Sequence, residues 1–182
     1  MEYALRVILK HENMIRYETT RIVLRRLTVE DREEFVELVI ASAGFLHPWV
    51  YLPATPAKFD EYLQRFDGKS AECTLICDRT SGAIAGTVSI SDIIRGPYQR
   101  ATVGYNAFAP SARQGYMSEG FGLVFRFAFE GLGPHRLEAD IQPDDEASLR
   151  LAGTKESASL EKVTLPVSYV LMGSGEIAND GQ

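Results

Sequence analysis

"VGYNAFAPSARQGYMSEGFGLVFRFAFEGLGPHRLEADI", Val103 to Ile141, changes grammar three times. Strand-forming residues run to Phe108, small and polar ones to Gly115, and a helix-period apolar stripe follows from Tyr116. The stripe stops at Gly133 and Pro134, which predicts a helix from about Tyr116 to Leu132, and "HRLEADI" returns to strand. A strand that enters a helix through a tight loop and comes back as a strand belongs to a mixed sheet with helices on its faces, and a ligand belongs at that strand-to-helix mouth. The first-turn amides of a helix have no partner inside it, and with the macrodipole they carry about half a positive charge. An anion docks there readily. Gly115 lets the backbone approach closely, and Arg113 adds a fork of donors. The plain alternative is a helix entry that binds nothing. No GK[ST] follows, so the loop is not a phosphate-binding P-loop, and GxGxxG is missing.

Working outward, "RIVLRRLTVEDREEFVELVIAS" predicts a strand over Arg21–Leu27 and then a helix, with Thr28 as N-cap and Phe35, Leu38 and Val39 as its buried stripe. "HPWVYLPATP" is a proline-punctuated loop before a second helix near Ala57 to Phe66. "ECTLICD" and "AIAGTVSISDI", parted by the turn "RTSG", predict two antiparallel strands, and "GPYQRATVGYNAF" supplies a third. "PDDEASLRLA" starts a last helix behind acidic residues. The expected class is α/β with a mixed central sheet flanked by helices.

At 182 residues and 45% hydrophobic, the chain closes one good-sized core. A net charge of -6 argues against a nucleic-acid or membrane footprint and suits a cationic acceptor. Cys73 and Cys77 form neither a CxxC pair nor a disulfide framework, which fits the cytoplasm, and three scattered histidines give no metal set. No stretch approaches the ~18 apolar residues of a membrane span.

The block from Val103 to Ala152, with "TTRIVLRRLTVED" and "FLHPWVYLP" before it, resembles the GNAT acetyltransferases, in particular the branch that acetylates ribosomal-protein alanine or serine N-termini. The resemblance covers roughly Thr20 to Ala152 and implies an acyl-CoA N-acyltransferase fold, acetyl-CoA as cosubstrate and a primary amine as acceptor, either a protein N-terminus or a small amine. It implies that the loop amides of Arg113, Gln114, Gly115, Tyr116 and Met117 hold the cofactor's pyrophosphate. The loop departs from the family's pattern: Ala112 stands where Gln or Arg is usual, Arg113 where the branch has glycine, and Met117 where a small residue ends the motif. Since the ligands are main-chain amides, these changes weaken binding without abolishing it.

The reaction needs a neutral amine, a stabilised carbonyl oxygen and a protonated leaving thiolate. An unpaired strand amide in the Asn106 to Phe108 stretch, with Phe108 as the cofactor contact, answers the second need. By resemblance, Ser148 protonates the thiolate; otherwise it is a helix-surface serine. Asp145 stands where the family has Asn, exchanging an amide that donates and accepts for a carboxylate that only accepts. Glu138 draws the proton from the amine, directly or through water, or simply pairs with Arg136. Tyr105 orders that water or sits in the core. Trp49 and Tyr51 line the acceptor cleft by resemblance, or plug the two early helices, and His47 beside Pro48 reads as a turn residue. The rival reading keeps the scaffold as a non-catalytic CoA-binding or protein-interaction module, and the assembly is a monomer or homodimer.

After Ala152 the resemblance stops. A family member continues with a glycine- and aromatic-containing strand, a turn and a strand ending in a Trp-Arg motif, whereas this chain reads "GTKESASLEKVTLPVSYVLMGSGEIANDGQ". Joining the third base of each codon to the first two of the next, with permitted synonymous codons, turns the residues from Thr154 into a reading that includes "KGVRFAREGY" and "NGKWRNSERWA". That resembles the family's ending, so the tail reads as a frameshift product, against the alternative of plain divergence. The expectation is three stretches: 1–19 an extension, 20–152 the acetyltransferase core, and 153–182 a poorly ordered tail that leaves terminal strands missing or altered, the sheet edge open and turnover impaired.

Overall fold

The computed structural model describes residues 14–142, 144–153, 160–163 and 167–172. In chain order these form β1 (Met14–Glu18), β2 (Ile22–Arg26), α1 (Arg32–Ala41), α2 (Ala43–Leu46), α3 (Pro56–Leu63), β3 (Glu72–Asp78), β4 (Ile84–Ile94) and β5 (Arg100–Ala107). Then come α4 (Tyr116–Arg126), β6 (Arg136–Ile141), α5 (Glu146–Ala152), β7 (Leu160–Val163) and β8 (Val167–Met172). The strands make one sheet in the order β1-β2-β3-β4-β5-β6-β8-β7, antiparallel throughout except where β5 runs parallel to β6.

Strand alternation builds two cores. On one face Ile22, Leu24, Ile76, Val88, Ile90, Val103 and Leu137 meet the stripe of α4, whose Phe121 and Val124 are fully buried. On the other, Leu75, Cys77 and Phe108 meet Phe35 and Val39 of α1 and Phe59 of α3. Phe35, Phe59, Phe108 and Phe121 are essentially inaccessible, and burial of each side chain stabilises by about 1.5–3 kcal/mol. Phe35 joins the rings edge-on, 5.3 Å from Phe59 and 5.5 Å from Phe108.

The structure differs from the expectations in several places. Residues 14–18 of the expected extension pair with β2 as an added strand. Thr28 opens a single 3-10 turn, Val29–Asp31, before α1, and the stripe of α1 buries Val36 more fully than Leu38. The second helix starts with Pro56 in its first turn and ends at Leu63, three residues before Phe66. After Arg126 the long helix widens into a π turn, Phe127–Leu132, that closes when Gly133, in the left-handed conformation at φ 85°, donates to the carbonyl of Ala128 at 2.9 Å. In the tail, β8 pairs with all of β6 and β7 with β8, so the β6 edge expected to stand open is occupied. β8, "VSYVLM", is rich in β-branched and aromatic residues, a composition that suits a pleated strand whatever its origin. The remaining tail residues, and the expectation about their order, lie outside the described residues.

Candidate functional site

β5 and β6 pair only through Arg100↔Arg136, Ala101↔Leu137 and Thr102↔Glu138, although β5 continues to Ala107 and β6 to Ile141. Past Thr102 the two parallel strands part, and the loop leaving β5 leads directly to the mouth of α4. Phe108 N–H donates to the Ala85 carbonyl at 3.0 Å and its ring is buried, which removes it from the expected donors. Ladder alternation then points the amide of Asn106 toward β4 as well, and turns that of Ala107 toward the gap beside β6. Within the expected stretch, Ala107 is therefore the residue whose amide faces the opening. Only the pairing register reveals this.

The loop bends through Arg113 at φ 60° and Gly115 at φ 83°, and Gly115 is the N-cap of α4. Glu119 is the first helix residue whose amide reaches a carbonyl, that of Gly115 at 3.1 Å. Among the described residues, the amides of Arg113, Gln114, Gly115, Tyr116, Met117 and Ser118 find no acceptor in the protein. Five of the expected cofactor residues thus carry amides without an acceptor along one stretch of chain, and Ser118 extends it. The stretch is fixed from below: the Met117 side chain lies over Gly86 of β4, where a Cβ would collide with its sulfur and come 2.8 Å from the Asn106 carbonyl.

A second group gathers beside it. The Tyr105 hydroxyl donates to the Ser148 carbonyl at 3.1 Å, and its ring meets Phe121 edge-on at 4.6 Å, so Tyr105 ties α5 to α4. Asp145 is the N-cap of α5: it accepts from Ser148 N–H at 3.0 Å and from the Ser148 hydroxyl at 2.7 Å. The Ser148 proton is therefore already given to a carboxylate, a use that neither of its expected roles included. Asp145 acts here as a cap.

Glu138 stands apart from both groups. Leu137 and Ala139 face α4, so alternation places Glu138 on the opposite face of the sheet from Tyr105. Arg136 Nε lies 2.8 Å from one carboxylate oxygen of Glu138 and Arg100 Nη1 3.2 Å from the other. The expected pairing with Arg136 is present and Arg100 completes it. Trp49 and Tyr51 follow α2; Tyr51 is 81% exposed, and its ring meets His47 edge-on at 5.7 Å. Among the described residues no hydrogen bond or ring contact ties either one to the loop, to Glu138 or to Ser148. Burial pushes the Cys73 thiol up to about 12 and that of Cys77 to about 11, so neither offers a thiolate nucleophile near neutral pH. Among the described residues no cluster of His, Cys, Asp and Glu could hold a metal ion, and no helix is long and apolar enough to cross a membrane.

Composition gave no hint of Arg21. Its Nη2 donates to the Gln114 carbonyl at 3.0 Å, its Nη1 lies 3.4 Å from Glu119, and its guanidinium sits 5.1 Å above the Tyr116 ring centre. The Tyr116 hydroxyl in turn donates to Asp78 at 2.8 Å. That bond and, first of all, the turn amide of Ser81 hold the Asp78 carboxyl down to about 2.

The mixed sheet thus parts between two parallel strands, with uncommitted amides at the adjoining helix. Residues 21–154 match the acetyltransferase (GNAT) domain, and the chain belongs to that family of N-acetyltransferases. The probable N-acetyltransferase YjcK of Bacillus subtilis (strain 168) is 30% identical over 138 residues, 71% of this chain and 76% of that protein. Solved structures share the fold. The ribosomal-protein-S5-alanine acetyltransferase from Vibrio fischeri has a TM-score of 0.69 at 20% identity, covering 86% of this chain and 93% of its own. Mycobacterium smegmatis RimJ in complex with CoA-disulfide has a TM-score of 0.71 at 14% identity, covering 82% and 80%.

Proposed function

We propose that this acetyltransferase moves the acetyl group of acetyl-CoA to the α-amine of a protein N-terminus, by direct attack while both substrates are bound. The observation that carries the reading is the row of uncommitted amides from Arg113 to Ser118, adjoining the gap into which Ala107 N–H points. Structural neighbours that act on ribosomal proteins and one that holds a CoA disulfide support the choice of substrates.

Acetyl-CoA supplies a thioester, whose C–S bond is exchanged for a C–N bond to the amine. The protein's part is to hold the diphosphate on the loop amides, each bond to a charged acceptor being worth about 1.5–3 kcal/mol. Ala107 N–H is the donor placed for the carbonyl oxygen. The amine must arrive neutral, and an α-amine with an ordinary pKa of about 8 supplies enough of that form near neutral pH. Because both oxygens of Glu138 are engaged by arginines, the reading gives it the part of holding β5 to β6 where they begin to part, and the amine proton leaves to water. Ser148 protonates the leaving sulfur only by releasing Asp145. We also infer that the tail is translated out of frame; a family match that ends at residue 154 is compatible with that reading. It alters the wall beyond β6 and lowers turnover more than cofactor affinity.

Calorimetry with acetyl-CoA, followed by single-turnover transfer to a peptide with a free Ser or Ala N-terminus, tests the reading. Saturable binding and an acetyl mass increment on the peptide's α-amine are expected. Binding without transfer to any amine would instead make the chain a CoA-binding module.

A further inference from the structure

We propose that Arg21, the residue before β2, is a positioning residue for the diphosphate of acetyl-CoA; the inference rests on the cofactor reading above. Arg21 is half exposed, with its side chain 51% accessible, and the core does not need it. Yet it makes three contacts to one short stretch of chain: the Gln114 carbonyl, the Tyr116 ring and Glu119.

The first contact decides the matter. A trans peptide is planar, so the carbonyl of one residue and the N–H of the next point in opposite directions. By holding the Gln114 carbonyl at 3.0 Å, Arg21 turns the Gly115 N–H away from itself and into the row of uncommitted donors. Gly115 is the N-cap, at φ 83°, where the peptide planes on either side have the least steric guidance. The Gln114 side chain pins the loop from the other end by donating to the Pro110 carbonyl at 2.9 Å. The second contact sets the height of the guanidinium. Tyr116 lies beneath it and is itself anchored through Asp78 to the end of β3, so Arg21, Tyr116 and Asp78 stack the helix mouth onto the sheet. The third contact limits its reach. Glu119 holds Nη1, and the Thr19 hydroxyl also donates to Glu119, so the guanidinium stays beside Gly115, 3.8 Å from where a Cβ there would lie. A lone surface ion pair with Glu119 would be worth little. The carbonyl hold is different, because it fixes the direction of a donor and leaves a positive charge next to it.

The test compares Arg21→Ala and Arg21→Lys with the wild type on two donors, acetyl-CoA and acetylpantetheine, which carries the same thioester without the diphosphate. Losing the charge-assisted carbonyl hold should raise the KM for acetyl-CoA about tenfold with kcat held within about twofold. Lys keeps the charge without the planar fork, so R21K should lie nearer to R21A than to the wild type. With acetylpantetheine the ratio of wild-type to R21A kcat/KM should fall toward one. If R21A does not fold, Tyr116→Leu, which removes the stacking surface, replaces it and should move KM in the same direction. An equal loss on both donors, or an unchanged KM for acetyl-CoA, overturns the proposal. Absence of acetyl-CoA binding to the wild type, read by calorimetry, overturns the cofactor reading instead, so the two failures are distinct.

Discussion

Arg25 is an arginine on a strand with only 7% of its side chain accessible, and its partner Asp31 has 3%. Nη1 donates to Asp31 at 2.8 Å, while Nη2 lies 2.7 Å from the other oxygen without the alignment of a hydrogen bond. Asp31 also accepts from the backbone and hydroxyl of Thr28, so one carboxylate closes the turn from β2 into α1. Burial works against the Arg25 charge, and the bond to Asp31 outweighs it only together with the charge of Asp31 and the interactions with Cys77. Removing one member of such a pair strands a buried charge, so Asp31→Ala should cost about 3–5 kcal/mol in urea unfolding. Arg113 makes the opposite case. It holds φ 60°, a conformation that costs a side chain about 1–2 kcal/mol relative to glycine. Arg113→Gly should therefore raise the urea midpoint. The sequence announced this position, since the resemblance places a glycine there. Nothing in it announced Arg21 or the pairing of Arg25, because the spacing of a charged residue says little about which distant carboxylate or carbonyl the folded chain brings to it.

Among the elements, α4 is seated by two glycines that leave no room for a Cβ. Met117 lies over Gly86, and Gly120 lies over Ile76, where a Cβ would come 2.8 Å from the Ile76 Cγ1. In Gly86→Ala the sulfur of Met117 can move aside, but the Asn106 carbonyl belongs to the next strand and cannot. Overpacking of this kind costs about 1–3 kcal/mol, and the lifted helix mouth should raise the KM for acetyl-CoA in G86A while its thermal unfolding stays cooperative. The tie between Asp78 and Tyr116 gives a pH signature. A carboxyl held at about 2 in the folded chain, against its ordinary 3.8, contributes stability that is full above that ordinary value and fades as pH falls toward 2. The shortfall of Asp78→Asn relative to wild type should thus be constant from pH 6 to 8 and shrink below about pH 4, as urea midpoints across pH will show. Periodicity made α4 and its entry legible at Tyr116, because an apolar stripe and a glycine cap are local signals. The π turn at its end and the three-residue pairing of β5 with β6 were not legible, since both depend on how far a neighbouring element reaches.

At the scale of the whole molecule, the proposed site lies at the parallel seam between β5 and β6, with the other described strands antiparallel on both sides. The succession of strands β2 to β6 and of helices α1, α3, α4 and α5 along the chain followed from alternation, helix periodicity and turn residues. The tail did not, because a stretch unlike the family still contains "VSYVLM", and the unpaired edge of β6 accepts any strand of suitable composition. A chain ending at residue 153 should lose that cover and show a lower urea midpoint together with concentration-dependent association by light scattering. Its affinity for acetyl-CoA should stay close to that of the full chain, because the loop amides belong to the other side of the seam.

The seam also sets a pattern of deuterium uptake. The amide of Asn106 near the end of β5 and that of Phe108 just past it are locked to β4, while that of Ala107, between them in sequence, looks into the opening. Adjacent residues of one strand will accordingly trade hydrogen for deuterium at very different speeds, and slowing at Ala107 alone would signal an occupant of the cleft without any catalytic assay.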